Sequence, residues 1–259
     1  MENTLLVGLS RQMALSHQLD VIANNIANID TTGFKADNAV FGEYLTSQAN
    51  DQTFAGSDRH VAFVQDRASW VDMAQGSLQR TGNPLDVAIE NNNAFFVVQT
   101  PNGSQRYTRN GAFAITGSGQ LVTSDGDAVL GTSGPITFQS TDHDIVISAN
   151  GIITVREGNS VVDSQRGKLQ LASFDQPQRL QKDGGSTFEA PDGVTSSPAP
   201  TGTRVVQGSI EKSNVNGVAE MARLIQITRS YTEIANILQQ QSEQRRNALS
   251  QLSQAPSNS

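Results

Sequence analysis

The stretch that decides the architecture is residues 23–35, ANNIANIDTTGFK. Around it, Ile22, Ile26 and Ile29 are four and three residues apart, the spacing of one face of an α-helix. The positions between these isoleucines hold three amides: Asn24, Asn25 and Asn28. A solvated helix normally carries lysine and glutamate on its second face. An amide face beside an isoleucine stripe therefore indicates a helix surface that is not simply exposed to water.

Upstream, the same apolar stripe continues with alternating steps of three and four residues, the spacing of a coiled-coil seam. It predicts a helix over residues 4–30, with Gly33 as a stop. A second flank of the predicted helix is also apolar, at Leu6, Leu9 and Met13. The full stripe is Leu5, Gly8, Gln12, Leu15, Leu19, Ile22, Ile26 and Ile29.

The C-terminal region repeats this pattern and predicts a second helix over residues 217–252. Asn216 is a suitable N-cap, and Glu220 falls in the first turn, where the helix dipole favours a carboxylate. Two faces are apolar or weakly polar. The first holds Leu224, Ile227, Tyr231, Ile234 and Leu238, and the second holds Met221, Ile225, Thr228, Thr232 and Ala235.

Between the helices the apolar period changes from 3.6 to two residues, which is the period of β-strands. Segments such as LDVAI (85–89), FFVVQ (95–99) and IITVRE (152–157) are separated by turn-forming pairs, among them Asn110-Gly111 and Asn150-Gly151. Short strands with frequent turns predict an antiparallel β domain. The chain is therefore expected to be an α+β protein, with long N- and C-terminal helices that form a coiled-coil-like terminal domain and a central antiparallel β domain.

Four segments follow from these patterns. Residues 1–35 form the N-terminal helix of the terminal domain, and residues 36–80 an extended connector in which 61–64 and 69–73 suggest strands. Residues 81–204 form the β domain, and their Gly, Ser, Pro and Thr content predicts a loop or linker over 181–204. Residues 205–259 supply a strand and the C-terminal helix.

Composition narrows the function classes. The 259 residues carry a net charge of −7, so nucleic acid is a poor default partner. The absence of cysteine excludes disulfides, thiol catalysis and cysteine metal sites. No stretch approaches the roughly 18 apolar residues of a membrane span, and MENTLLVGLSRQ lacks the basic start of a cleaved secretion signal.

Four short motifs suggest chemistry, but each has a simpler explanation. Ser209–Lys212 matches the nucleophile motif S-x-x-K, but the partner motifs that such a nucleophile needs are absent. Asp142–Asp144 (DHD) could bind a metal, but no other histidine or carboxylate stands at a metal-ligand spacing from it, and a charged hairpin tip explains it. Asp125–Asp127 lacks the rest of a calcium loop, and Gly117–Gly119 precedes no helix. The sequence therefore predicts no enzyme, no cofactor, no metal and no small-molecule substrate.

The terminal helices are the stronger signal. An ordinary helix pair packed on the β domain would need one buried face each, but these helices are apolar on more than one face, and residues 234–242 carry no charge. Covering the extra faces takes more helices than one chain supplies. We therefore expect self-association, with N- and C-terminal helices of neighbouring subunits packed in a shared layer.

At three separated places the sequence resembles the flagellar basal-body rod family. ANNIANIDTTGFK resembles its N-terminal signature, and VQGSIEKSNVNGVAEMARLIQITRSY (206–231, with Asn214 and Asn216) resembles its C-terminal block. GSLQRTGNPLDVAIENNNAFFVV and GQLVTSDGDAVLGTSGPI resemble the β-domain pattern shared by rod and hook proteins. Asn91–Asn93 replace glycines that the family usually has, and asparagine also tolerates a tight turn.

The resemblance implies a structural subunit of the rod, exported unfolded through the flagellar type III apparatus without a cleaved signal. It would assemble in the periplasm with its own copies and with adjacent rod proteins, as an inner tube of helices and an outer β layer that transmits torque from motor to hook. The run VLGTSGPI and the short 45–70 region look more like the proximal rod type than the distal type. The expected interface between subunits takes residues from both terminal regions. They are Leu5, Leu15, Leu19, Ile22, Asn24, Asn25, Ile26, Asn28, Ile29, Asn214, Asn216, Leu224, Ile227, Tyr231, Ile234 and Leu238.

The alternatives are a distal rod or hook-type axial protein, or a secreted β-domain adhesin or effector that would function without flagella. A hydrolase would need a site with no trace in the motifs. If the amide face meets another subunit, Asn24→Asp or Asn28→Asp should impair rod formation before it impairs folding of the β domain, because buried carboxylates are costly.

Overall fold

The computed structural model describes residues 2–46, 61–90 and 93–254 of the chain. The predicted order of helix, strands and helix is present. Helix α1 spans Glu2–Ala27 and helix α2 spans Gly217–Gln254, close to the predicted 4–30 and 217–252. The chain is an α+β protein with a central antiparallel β region. No helix among the described residues has the length and hydropathy that a bilayer crossing requires.

Short strands occupy the chain between the helices. The first nine are β1 Asp37–Thr46, β2 Val61–Val71, β3 Leu78–Arg80, β4 Val87–Ile89, β5 Ala94–Gln99, β6 Gln105–Thr108, β7 Ala114–Ile115, β8 Leu121–Val122 and β9 Ala128–Gly131. The others are β10 Gly134–Pro135, β11 Asp142–Ile147, β12 Ile152–Glu157, β13 Asp163–Lys168, β14 Leu171–Ser173, β15 Gln181–Lys182, β16 Thr187–Glu189, β17 Ser197–Pro198, β18 Val205–Gln207 and β19 Ser209–Glu211. A 3₁₀ turn spans Pro177–Arg179.

Two compact units divide the chain. The helical unit comprises Met1–Ile26, Asp37–Ser69 and Gly217–Ser259, and the β unit comprises Ala27–Ala36 and Trp70–Asn216. The turn after α1 therefore belongs to the β unit. The expected connector, residues 36–80, contributes strands β1 and β2, which pair with each other, and β3, which pairs with β19. Residues 47–60, between β1 and β2, lie outside the described residues.

The β unit is organised around β5. In the described residues, ten strands form its largest sheet, in the order β15-β16-β6-β5-β9-β8-β7, with β10 on β9 and β14 between β5 and β17. Strands β11-β12-β13 form a separate antiparallel sheet. The pairs β18–β4 and β19–β3 bring the C-terminal strands beside the first strands of the unit.

Both faces of β5 are buried, which explains its uninterrupted apolar sequence. Phe96 and Val98 point into one core cluster with Phe113, while Phe95 and Val97 point into a second cluster. Successive side chains on a strand face opposite sides, so FFVV supplies two cores at once.

The expected linker over residues 181–204 is wrong in part. Strands β15 and β16 pair with each other and β16 pairs with β6 in the largest sheet. Phe188, fully buried, contacts Phe95 edge-on in the second cluster. Thr187–Glu189 is flanked by Gly- and Ser-rich sequence. The composition of the whole segment predicts a loop, because a strand of three residues changes that composition very little.

Candidate assembly interface

The motifs weighed as catalytic or metal-binding have structural partners instead. Ser209 lies in β19 and is buried. Asp142 begins β11 rather than capping a hairpin, and both its carboxylate oxygens accept from Arg166, at 2.6 and 2.7 Å. No cluster of metal-ligating side chains is found in the part of the chain that the structure describes. The surface of the helical unit is therefore the candidate functional site.

Within the helical unit, stripe residues of α1 and α2 meet at positions 12 and 231 and at positions 8 and 238. Gln12 Nε2 donates to the Tyr231 hydroxyl oxygen at 3.1 Å. A Cβ added at Gly8 would lie 2.6 Å from Leu238 Cδ2, so the small residue accommodates that leucine. Residue 8 meets 238 and residue 12 meets 231, so chain direction is opposite in the two helices at these contacts.

Most side chains of the expected stripes are partly exposed to solvent. Ile22 is buried. Partial burial is shared by Leu15, Leu19, Ile26, Ile29, Leu224, Ile227, Tyr231, Ile234 and Leu238. Leu5 belongs to α1, but its side chain lies outside the described residues. The role of these residues in contacts between subunits stays a prediction.

Other apolar side chains of the two helices are open to solvent. Met13 of α1 is 67% exposed, and Met221 and Ile225 of α2 are 56% and 55% exposed. We call Leu9 and Met13 of α1 with Val218, Met221 and Ile225 of α2 the open face; Ile237 is also exposed but lies on another side of α2. Val218 lies three residues before Met221 and extends the second face expected for α2, whereas Ile237 lies outside both expected faces.

On α2, two hydroxyls beside the open face are already satisfied. Thr228 Oγ1 donates to the Leu224 carbonyl at 2.7 Å, and Thr232 Oγ1 donates to the Thr228 carbonyl at 2.8 Å. Such bonds to the preceding turn leave the methyl groups outward. Because a buried hydroxyl is costly only when it lacks a partner, this surface can be covered by an apolar partner at little polar cost.

The asparagines of the opening stretch make contacts inside the chain. Asn25 is buried and bonds the Asp37 backbone twice, as donor to its carbonyl (2.8 Å) and acceptor from its N–H (2.9 Å). Asn24 Nδ2 donates to an Asp37 carboxylate oxygen at 3.2 Å. Asn28 Oδ1 accepts from the Thr31 hydroxyl where α1 ends. These bonds account for part of the amide face, and its contribution to subunit contacts stays a prediction.

Asn214 joins segments that are distant in sequence. Its Oδ1 accepts from the Ala36 N–H at 2.7 Å, and its Nδ2 donates to the carbonyls of Asp72 and Ala74 at 2.8 and 3.2 Å. The β unit thereby fixes the segment that follows α1 beside the segment that precedes α2. Asn216 stands immediately before α2.

A buried charge cluster lies in the same region of the β unit. Glu211 accepts from Lys35 Nζ at 2.5 Å through Oε1 and from Arg109 Nη1 at 3.3 Å through Oε2, and all three side chains are at most 1% exposed. The Ala74 carbonyl and the Gly76 N–H complete the contacts of Lys35 and Glu211. Arg109 also stacks over the Phe95 ring at 4.9 Å.

Burial governs the electrostatics of this cluster. Desolvation lowers the pKa of Lys35 and of Arg109, and the carboxylate of Glu211 acts against it in both cases. Lys35 and Arg109 share the carboxylate of Glu211, which is therefore the counter-charge of both buried cations. Sequence reasoning missed the cluster because Lys35 and Glu211 are 176 positions apart and nothing in their local patterns marks them as buried.

Comparison with known proteins identifies the family. The model for flagella basal body rod proteins matches residues 5–35, that for the D1 domain of the flagellar hook protein FlgE/F/G matches 88–155, and that for the C-terminal part of flagellar basal body rod FlgEFG proteins matches 206–252. The rod protein FlgF of Caulobacter vibrioides is 36% identical over 97% of this chain and 98% of its own length. The chain belongs to the flagellar basal-body rod protein family.

Other relatives agree. FlgF of Mesorhizobium japonicum is 33% identical over 93% of each chain, and FlgG of Buchnera aphidicola subsp. Baizongia pistaciae is 34% identical over 82% of this chain and 85% of its own. This rod protein is thus a structural subunit of the flagellar basal body, related to structural proteins and not to enzymes. Its buried charge cluster takes one residue from each matched region: Lys35, Arg109 and Glu211.

Proposed function

We propose that this rod protein assembles into the proximal part of the rod, through contacts between the terminal helices of neighbouring copies. The observation that carries the proposal is the open face, which leaves Met221 and Ile225 more than half exposed. Exposed apolar surface that can be covered without loss of hydrogen bonds is typical of interaction sites. In this proposal α1 and α2 of one subunit pair as an antiparallel coiled coil, and helices of neighbouring copies cover the open face.

The four segments expected from the sequence have corresponding roles. Residues 1–35 and 205–259 build an inner tube, and residues 81–204 an outer layer around it, while 36–80 connects the two. The subunit is exported unfolded by the flagellar type III apparatus, assembles in the periplasm beside adjacent rod proteins and transmits torque from motor to hook. Long helices that need partners are consistent with export before assembly, because isolated helices are only marginally stable in water.

The proximal position rests on VLGTSGPI (129–136) and on the short 45–70 region, with the relatives named FlgF as support. The alternative is a distal rod or hook-type subunit, supported by the relatives named FlgG. Electron microscopy of basal bodies from a deletion strain separates the two. A proximal subunit should leave a rod that stops short of its distal part, whereas a proximal rod of full length would assign the chain to the distal part.

The interface is tested by charge on the open face. Met221→Asp with Ile225→Asp should abolish motility and leave basal bodies without a complete rod, while the purified protein keeps its circular-dichroism spectrum. The matched control is Gln226→Asp, an exposed polar position on the same helix, which should leave motility unchanged. Complete rods in the double variant would refute assembly through this face.

Truncation tests the division into inner and outer parts. The sequence pattern alone would place the cut after Gly33, where the predicted N-terminal helix stops. The division of the chain places the sharper cut after Ile26, because Ala27–Ala36 belongs to the β unit. A chain starting at residue 27 should remain monomeric by analytical ultracentrifugation and keep its β spectrum. Polymers of this chain, or loss of the β spectrum, would refute the assignment of assembly to the helices.

A further inference from the structure

The hairpin of β12 and β13 ends in a turn with an apolar tip. Val161 is 91% exposed and Val162 is 69% exposed, an adjacent pair with no core contact. The turn is ordered by its own hydrogen bonds: Ser160 N–H donates to the Glu157 carbonyl at 2.9 Å, and Val162 N–H donates to Ser160 Oγ at 3.2 Å. A structured turn that presents two valines to solvent indicates a contact surface for a partner.

The opposite end of the same hairpin borders a groove. Ile152 and Lys168, which are paired across β12 and β13, contribute to its lining. Leu169, Leu171 and Ala172 line it from the β14 side, and Pro198–Pro200 line it from the β17 side. Its volume of about 810 Å³ exceeds what two valine side chains occupy, so the tip of a hairpin can enter.

The two surfaces cannot meet within one chain. β12 is six residues long, and at about 3.3 Å per residue it separates tip and groove by about 20 Å. A tip at one end of a hairpin and a groove at the other end are the arrangement that a head-to-tail contact requires. Contacts between two different patches produce open helical assemblies, whereas a contact of one patch with itself closes a dimer.

Charge favours the same pairing. Near the tip, Arg156 pairs with Asp144 and Asp163, and Arg166 pairs with Asp142 and Glu157. Four carboxylates therefore surround two guanidinium groups on this side of the hairpin. Lys168 is the charged residue among those that line the groove. The excess of carboxylates over guanidinium groups beside the apolar tip complements the basic residue beside the apolar groove, and such complementarity sets orientation and partner choice.

We propose that the Val161–Val162 tip of one copy docks into the groove between β13, β14 and β17 of the next copy. The occupant of the groove is thus a second copy of this chain. The proposal rests on the proposed function, in that it needs assembled copies, but it concerns a contact of the β units and not of the helices. The contact fixes the orientation of neighbouring β units around the rod.

The test uses introduced cysteines, since the chain has none of its own. Val161→Cys and Ser197→Cys are combined in one chain that replaces the native copy in the flagellated strain. Basal bodies are isolated, treated with a short bismaleimide and resolved by denaturing electrophoresis. Head-to-tail docking should give a ladder of dimers, trimers and longer oligomers of this chain. Adding Val162→Asp should lower the yield at least fivefold while rods still form.

The matched control replaces Ser197→Cys by Ser118→Cys, an exposed serine in another turn of the same unit, and should give no ladder. Three results would overturn the proposal: no ladder in motile cells with complete rods, dimers from Val161→Cys alone, or cross-links only to a rod protein of different mass. The proposed function fails by a different result, namely motility and complete rods in a strain that lacks the chain.

Discussion

The β unit and the helical unit differ in which side chains they bury and which they expose. The β unit buries even its charges, since Lys35, Arg109 and Glu211 are almost inaccessible and bond to one another. The helical unit leaves apolar side chains in water, with Met13 67% and Met221 56% exposed. The buried charges of the β unit find their counter-charges within one chain, whereas the helices present apolar side chains that only another molecule can cover.

This difference separates residues that stabilise the folded monomer from residues that are available for contacts with other subunits. Substitutions inside the β unit should unfold the monomer, because each removes a partner that the chain itself supplies. Substitutions on the open face should leave the monomer folded and block the rod. The following predictions test that separation, beginning with the largest effect.

Removing the shared carboxylate should have the largest effect on stability. Glu211→Ala leaves Lys35 and Arg109 buried without their counter-charge, and breaking a buried ion pair in this way costs about 3–5 kcal/mol. Urea denaturation of the purified monomer, followed by tryptophan fluorescence and circular dichroism, measures the loss. Lys212→Ala, next in sequence and half-exposed in its pair with Asp30 at 3.5 Å, is the control and should change little. Equal stability of the two variants would mean that Lys35 and Arg109 stay buried without needing the carboxylate of Glu211.

The turn after α1 should be nearly as sensitive. Gly33 has φ +71°, and a Cβ there would lie 2.3 Å from the Asn110 backbone nitrogen. Gly33→Ala therefore combines left-handed strain with a backbone overlap and should cost about 2–4 kcal/mol. Gly82 has φ +77° and open space around its Cβ position, so Gly82→Ala isolates the strain, about 1–2 kcal/mol. If the two variants unfold at the same urea concentration, the overlap is relieved by movement of the turn.

Within the helical unit, Asn25 should matter more than Asn24. Asn25→Ala removes both bonds to the Asp37 backbone and leaves that N–H and carbonyl without this partner, at about 2 kcal/mol. Asn24→Ala removes an exposed bond to the Asp37 carboxylate and should cost well under 1 kcal/mol. Thermal unfolding followed at 222 nm compares them. Asn24→Asp would place two carboxylates together at Asp37, so its effect on rods must be judged against the stability of the purified monomer.

Much of this architecture could be predicted from the sequence, because helices and strands each have a characteristic spacing of apolar residues. The alternating steps around Ile22 predicted α1 to within three residues at its C-terminal end, where the Asn28–Thr31 turn stops it at Ala27. The alternation in LDVAI predicted a strand whose residues Val87 and Ile89 lie in the core.

The rest depends on contacts between distant positions, which local patterns do not encode. Phe188 looked like part of a linker until β16 placed it in the second core cluster. Lys35 and Glu211 each sit in a polar sequence context, and only the folded β unit makes them a pair. Asn25 could not be separated from Asn24 and Asn28 by type or spacing, because its role depends on the path of residues 28–37.

The smallest predicted effect concerns acid stability in the satellite sheet of β11, β12 and β13. The hydrogen bonds from Arg166 hold the pKa of Asp142 below its ordinary value, and burial only partly opposes them. A carboxylate with a lowered folded pKa stabilises the protein above its unfolded pKa, near 3.9, and loses that contribution as pH falls through the folded pKa.

Asp142→Asn should therefore lower the unfolding temperature of the monomer at pH 7, and the difference from the parent chain should shrink below about pH 4. Asp163→Asn is the control in the same sheet, since Asp163 is 62% exposed in its pair with Arg156 and exposed pairs contribute little. Scanning calorimetry from pH 7 to pH 2.5 measures both variants. A difference that persists undiminished at pH 2.5 would show that Asp142 acts through its shape and not its charge, so that the satellite sheet, unlike the buried cluster at Glu211, does not depend on an ion pair.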